Sequence, residues 1–271
     1  MNSMIVGALI TAISQMVEVA PYSNSVAYLP NDLVEVTQFL DEADKLNLTP
    51  VIVIDKYYLD VSNKYTYVDP SPLKQAIRDS NHIGRILFMY DEPGLRGRRN
   101  GQTMSEILPV FDLIKKDFHG VEFVHIESFA EMYWQKQENN GRLSLYMDAE
   151  HIGFNCYGKF EKCGNPAIGV PEVHQLTYLA DIHSEIVFSN SDAKIFLVPG
   201  AFMGGDFFES ESEVTTQLDD YASVAVDYRD YVSGMGVFIW GDFHDGYNQL
   251  SGARSLPLVK EKTLEVLNYL K

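Results

Sequence analysis

Short apolar runs alternate along this chain with stretches whose apolar residues recur at helical spacing. The runs are Ile5 to Ile10, Ser25 to Leu29, Val51 to Ile54, Gly84 to Tyr90, Val121 to Ile126, His151 to Cys156, Lys194 to Val198 and Gly236 to Trp240. Each is short and ends in polar or aromatic residues, the pattern of a buried strand. Between them, Leu33, Val36, Leu40 and Ala43 share one helical face. So do Ile107, Val110, Phe111 and Ile114, and later Val214, Leu218, Ala222 and Ala225, and the chain closes on Leu264, Leu267 and Leu270. Helix starts are marked by Ser71-Pro72 and by the capping boxes Thr103 to Glu106 and Ser128 to Glu131.

This alternation predicts a parallel α/β fold, and eight runs match the number of strands that closes a (β/α)8 TIM-type barrel. A helical reading of either N-terminal run would leave a doubly wound open sheet as the alternative. Ile5 to Ile10 lacks the basic residues that precede a secretory core, and it reads as the first strand. With no Pro/Ser/Gly-rich linker or composition shift, residues 1–271 are expected to form one catalytic domain.

The balance of 38 acidic against 21 basic residues, a formal charge of −17, repels phosphate backbones and anionic lipid surfaces. A nucleic-acid partner is therefore not expected, and no apolar run has the length needed for membrane insertion. Cys156 and Cys163 form no metal-binding pattern and read as buried structural thiols. No His-x-His pair, His-Glu-x-x-His or Gly-x-Ser-x-Gly element occurs, so neither a metal nor another cofactor is expected.

In a barrel of this kind the C-terminal strand ends carry the chemistry. The candidates there are Asp55, Tyr90-Asp91-Glu92-Pro93, His125 and Glu127, Asn155 and Tyr157, Pro199 to Phe202, and Trp240-Gly241-Asp242. Carboxylates do acid/base work and flat aromatic rings stack on sugar rings, so the set suits a carbohydrate substrate. Asp91-Glu92 is the strongest element. Two adjacent carboxylates in a partly dry cleft repel each other, and desolvation adds to the rise in one pKa, leaving an acid that is protonated near neutrality. The basic stretch Gly94 to Arg99 reads as a solvated loop, as does the turn holding Asp242, His244 and Asp245.

The Tyr-Asp-Glu-Pro strand end resembles the Asp-Glu pair of substrate-assisted TIM-barrel glycoside hydrolases, the hexosaminidase type. The strand ends at Ile152 to Tyr157, Ile195 to Gly200 and Gly236 to Trp240 are similar to those of family 18 chitinases, although the chitinase Asp-x-x-Asp-x-Asp-x-Glu signature is absent. The resemblance implies Glu92 as general acid/base, Asp91 orienting a substrate acetamido group, Tyr157 donating to that group's oxygen, and Trp240 flooring the sugar pocket. A substrate without an acetamido group needs a second protein carboxylate, for which Glu127 is the candidate. Asn155, Asp55, Tyr90 and Asp242 complete the expected substrate-binding set.

Overall fold

The computed structural model describes residues 4–205, 207–244 and 248–271. Eight parallel strands close a barrel: β1 (Ile5–Ile10), β2 (Ser25–Tyr28), β3 (Thr49–Val53), β4 (Leu87–Asp91), β5 (Glu122–Ser128), β6 (His151–Asn155), β7 (Lys194–Val198) and β8 (Val232–Val237). Closure occurs where β1 pairs with β8 on one side and with β2 on the other. The N-terminal run is thus a strand, and the open-sheet alternative falls. Around the barrel lie α1 (Met16–Val19), α2 (Leu33–Lys45), α3 (Ser71–Asp79), α4 (Pro93–Arg99), α5 (Met104–Asp117), α6 (Phe129–Glu138), α7 (Gln175–Phe188), α8 (Glu211–Asp227) and α9 (Pro257–Leu270). Among the described residues no helix is long and apolar enough to cross a membrane.

Side chains alternate across each strand, so one set fills the barrel and the other packs beneath the helices. The inner set includes Ile5, Ala27, Val51, Leu87, Val124, Ile126, Phe196 and Val198. Phe196 takes up the middle of the barrel, and β8 passes it with Gly234 and Gly236, where an added Cβ would stand 2.7 and 2.9 Å from the ring. The outer set joins the helices in one continuous core, with Tyr90 stacked on Phe111 of α5 at 3.6 Å between centroids.

At the N-terminal end of the barrel the polar groups satisfy one another. Arg85 and His151 both bind Glu122, and the other ring nitrogen of His151 lies 2.8 Å from Ser233 Oγ. At the C-terminal end the loops build small additions. Phe202–Met203, Gln249–Gly252 and Phe243–His244 form an antiparallel sheet that ties the β7 and β8 loops together. Cys163–Asn165 pairs with Val170–Val173 after β6.

Capping follows the sequence signals in part. The Thr103 capping box forms in full, whereas helix α3 begins at Ser71 with Pro70 as its cap. Ser128 caps α6 without a side-chain bond, and the other half of the box is also absent, since the Glu131 carboxylate binds Arg98 while Ser128 N donates to Glu127.

Candidate active site

The register at the C-terminal end decides which strand-end residues meet. Asp91 lies beside Ile126 and Tyr90 beside His125, so Asp91 continues the inward row and Tyr90 the outward one. Asn155 pairs with Val198 and Ser128, which places it on the inward row as well. Asp91, Asn155 and the residues just beyond them therefore converge on the mouth of the barrel.

Glu92 leaves β4 with φ 53° and ψ 47°, a left-handed conformation uncommon for a residue with a side chain. Its N–H donates to Ile126 O at 2.7 Å, and its C=O accepts from Arg96 N at 2.9 Å. This geometry turns the Glu92 carboxyl back toward β6, where Asn155 Nδ2 donates to Oε1 at 2.8 Å. Burial first, and then the charge of Asp91, push Glu92 up to about 7, with the Asn155 bond opposing. Asp91 also rises to about 7, through burial and the charge of Asp55, with Arg96 opposing. Two such neighbours cannot both ionise cheaply, and near neutrality the pair retains a proton.

Asp55 sits below this pair rather than in the open cleft. It is buried, its Oδ2 accepts from Asp91 N at 3.0 Å, and its Oδ1 accepts from the Tyr65 hydroxyl. Arg96, on α4, faces Asp55, Tyr65 and Asp91. The stretch that reads as a solvated loop is thus a short helix divided between two jobs. Arg96 turns toward the carboxylates, while Arg98 binds Glu131 and Glu138 on the outside.

Tyr157 is held across from the acid pair. Its phenol lies within reach of Asn155, and burial together with the charges of Asp91 and Glu92 raises it well above the ordinary phenol range. Its ring stacks on Phe238 at 5.1 Å and meets Phe202 and Phe207 edge-on. Phe207 is 36% exposed, so this wall offers an apolar face to solvent. Two buried amides brace the loop. Gln175 Nε2 donates to Cys156 O at 3.1 Å, and Gln217 joins the loop to β7 by accepting from Gly200 N at 2.8 Å and donating to Gly158 O. Cys156 and Cys163 are disulfide-bonded, with Cα atoms 5.9 Å apart, which corrects their reading as free thiols.

Three expected residues point elsewhere. Tyr90 is 0% exposed and packed under α5, so it cannot touch a substrate. Glu127 is also 0% exposed and faces the helix layer, where it accepts from Gly94 N at 2.8 Å, Leu95 N at 3.3 Å and Ser128 N at 2.8 Å. Those bonds fill its oxygens and anchor the first turn of α4. A Cβ at position 94 would stand 2.5 Å from Glu127 Oε2, so glycine is required there. Trp240 leaves the barrel, buries its ring and donates from Nε1 to Glu18 Oε2 at 3.1 Å, in a groove shared with Tyr22, Arg254 and Lys260. It floors that outer groove, not the mouth of the barrel.

Asp242 is exposed on the β8 loop, and its Oδ1 accepts from Gly252 N at 3.0 Å. Asp245 lies outside the described residues. Among the described residues no group of three or more His, Cys, Asp or Glu is arranged to hold a metal ion. Strand parity from Val124 and Ile126 was the signal that would have turned Glu127 outward, and Pro93 was the helix signal that would have placed Arg96 on α4.

No protein-family model matches the chain, and no curated protein matches it. Solved structures do. A β-mannanase from the blue mussel Mytilus edulis superposes with a TM-score of 0.55 at 12% identity, over 99% of this chain and 92% of that one. An endo-β-1,4-glucanase from Xanthomonas axonopodis pv. citri gives 0.55 at 10%, covering 98% and 100%. A mutant xylanase A of P. fluorescens subsp. cellulosa, in complex with xylopentaose, gives 0.52 at 11%, covering 97% and 98%. At such identities the likeness establishes the TIM-barrel fold. These neighbours lend no support to the resemblance to hexosaminidases and chitinases.

Proposed function

We propose that the chain hydrolyses glycosidic bonds in a poly- or oligosaccharide, with Glu92 as general acid and base. The observation that carries this reading is Glu92 itself. A left-handed backbone and Asn155 hold its carboxyl at the barrel mouth, and burial beside Asp91 favours its protonated form near neutrality. A leaving glycosidic oxygen needs such a proton donor. The aromatic wall of Tyr157, Phe238 and Phe207 supplies flat surfaces for sugar rings. The mannanase, glucanase and xylanase named above support the reaction class.

The position of Glu127 bears on the nucleophile. Its oxygens are taken by backbone donors on the far side of the strand, so it is poorly placed to attack a sugar. Asp91 and Tyr157 both lie beside Glu92, which supports a substrate-assisted route on N-acetylated sugars. In that route Asp91 orients the acetamido group and Tyr157 donates to its oxygen. The oxygen bonds to the anomeric carbon as the glycosidic bond breaks, and Glu92 gives its proton to the leaving oxygen. Glu92 then takes a proton from the water that opens the cyclic intermediate.

The test compares variants on matched substrates. Glu92→Gln is expected to lose on the order of 10²- to 10⁴-fold in rate on substrates with poor leaving groups, and far less on those whose leaving group needs little protonation. Asp91→Asn should be severe on an N-acetylated substrate while Glu127→Gln keeps most turnover. Full activity of Glu92→Gln on a natural glycan would overturn the proposal. Equal turnover of the N-acetylated and plain-hydroxyl substrates would remove the substrate-assisted route alone.

A further inference from the structure

The loop after β6 is held from two helices by buried amides. From α7, Gln175 Nε2 donates to Cys156 O at 3.1 Å, its Oε1 accepts from the Tyr221 hydroxyl, and its N–H donates to Phe160 O at 3.0 Å. From α8, Gln217 Nε2 donates to Gly158 O, with Cys156 O at 3.4 Å. These carbonyls flank Tyr157, and the Cys156–Cys163 disulfide closes the same loop. Gln217 does one thing that Gln175 does not. Its Oε1 accepts from Gly200 N at 2.8 Å, so a side chain only 1% exposed spans from the β6 loop to the β7 loop. The amide fits in this orientation alone, because the reverse would set its oxygen against carbonyls and its NH₂ against the Gly200 N–H.

Gly200 is where the aromatic wall meets. Phe238 N donates to Pro199 O at 2.9 Å and Ala201 N donates to Phe238 O, which binds the β7 loop to the end of β8. A Cβ on Gly200 would stand 3.0 Å from Tyr157 Cδ1 and 3.1 Å from Phe202 Cε1, so the Tyr157 ring rests directly on this backbone. The separation of the two loops therefore sets how Tyr157 lies on Phe238, with centroids 5.1 Å apart and planes inclined by 15°.

We propose that Gln217 is a positioning residue that fixes Tyr157 in the sugar-binding wall by bridging the loops after β6 and β7. This rests on the reading of Tyr157, Phe238 and Phe207 as a surface for sugar rings. A methionine at position 217 fills much the same space, yet it leaves the Gly200 N–H and the Gly158 carbonyl unpaired in a buried setting, which drives the loops apart toward other partners. Val224→Ala is the control for packing alone. Val224 lies further along α8 and packs toward Ile195 and Val232, at the other end of the barrel from the wall.

The experiment places m-fluorotyrosine at position 157 of the full chain and records its ¹⁹F resonance without substrate. Phe238→Leu marks the resonance of an unstacked ring. Gln217→Met should move the signal toward that position or split it, whereas Val224→Ala should leave it in place. A folded Gln217→Met protein with the wild-type resonance overturns the proposal, and so does an equal shift in Val224→Ala. If Gln217→Met does not fold, Gln217→Glu takes its place. Its carboxylate still accepts from Gly200 N but opposes the Cys156 and Gly158 carbonyls, so the signal must again move, and a fixed one overturns the proposal.

Turnover of p-nitrophenyl N-acetyl-β-glucosaminide gives the second readout. Gln217→Met should lower kcat/KM severalfold, up to about 10²-fold, in the wild-type background. In a Tyr157→Ala background it should add little, because its effect passes through Tyr157. Losses of equal size in both backgrounds overturn the proposal. The resonance needs no turnover, so the two readings separate. A chain that cleaves no glycan, but whose signal moves in Gln217→Met alone, keeps the positioning role and loses the hydrolase reading. An active chain with an unmoved signal does the reverse.

Discussion

Glu92 binds its proton more tightly in the folded protein than in the unfolded chain, because burial and the charge of Asp91 both penalise its anion. The consequence for stability has a definite sign. A folded value raised to about 7 means that stability is fullest at pH below the ordinary carboxylate value and is lost as pH rises toward 7. Glu92→Gln copies the protonated form and retains an oxygen for Asn155 Nδ2. It should therefore match wild type in denaturant near the ordinary carboxylate pKa and exceed it by about 1–3 kcal/mol at alkaline pH. Equal differences at both pH values would show that the Glu92 anion carries no such penalty. The Asn155 bond acts in the reverse sense by favouring the anion, so Asn155→Ala should move the basic limb of kcat/KM to higher pH. A limb that stayed fixed or moved down would contradict the role given to this bond.

At the scale of elements, β5 shows how one strand serves two layers. Val124 and Ile126 fill the barrel, while His125 and Glu127 face the helices. His125 Nδ1 accepts from Tyr146 N, and Glu127 accepts the first free N–H groups of α4, donors that a helix start leaves unpaired. Glu127→Gln would set an amide NH₂ against one of these donors. The expected result is a stability loss of about 1–3 kcal/mol, read by denaturant titration, with turnover reduced far less than in Glu92→Gln. A stable but inactive Glu127→Gln would return this residue to the chemistry.

The same strand marks the boundary of what was legible in the chain. Apolar period and capping signals suffice for eight strands and their order, since both are local. Which face a strand-end residue occupies is local too, but it requires counting from the inward row, and Tyr90 and Glu127 fail that count. Trp240 could not be placed this way, because β8 ends at Val237 and the chain then turns out toward Glu18. The Cys156–Cys163 bond and the Tyr65–Asp55 contact depend on loop closure, which no periodicity encodes.

For the molecule as a whole, the two ends of the barrel respond to pH in opposite ways. At the C-terminal end Asp91 and Glu92 favour the folded state when protonated. At the N-terminal end Glu122 is lowered to about 2 by its bonds to His151 and Arg85, so its contribution is present at neutral pH and lost as pH falls toward that value. Long-range charge adds a further constraint, on which glycans can approach. A formal charge of −17 repels a polyanionic chain before any contact forms, and at and beneath the barrel mouth the carboxyls of Asp55, Asp91 and Glu92 are set against the guanidiniums of Arg96 and Arg99. On the proposed activity, neutral or N-acetylated oligosaccharides should be cleaved with a kcat/KM nearly independent of ionic strength. An otherwise matched uronic-acid-containing oligosaccharide should start lower at low salt and gain severalfold as added salt shortens the Debye length to about 10 Å at 0.1 M. The salt series on both substrates checks this, and an acidic glycan whose kcat/KM falls as salt is added would mean that the mouth attracts anions despite the net charge of the chain.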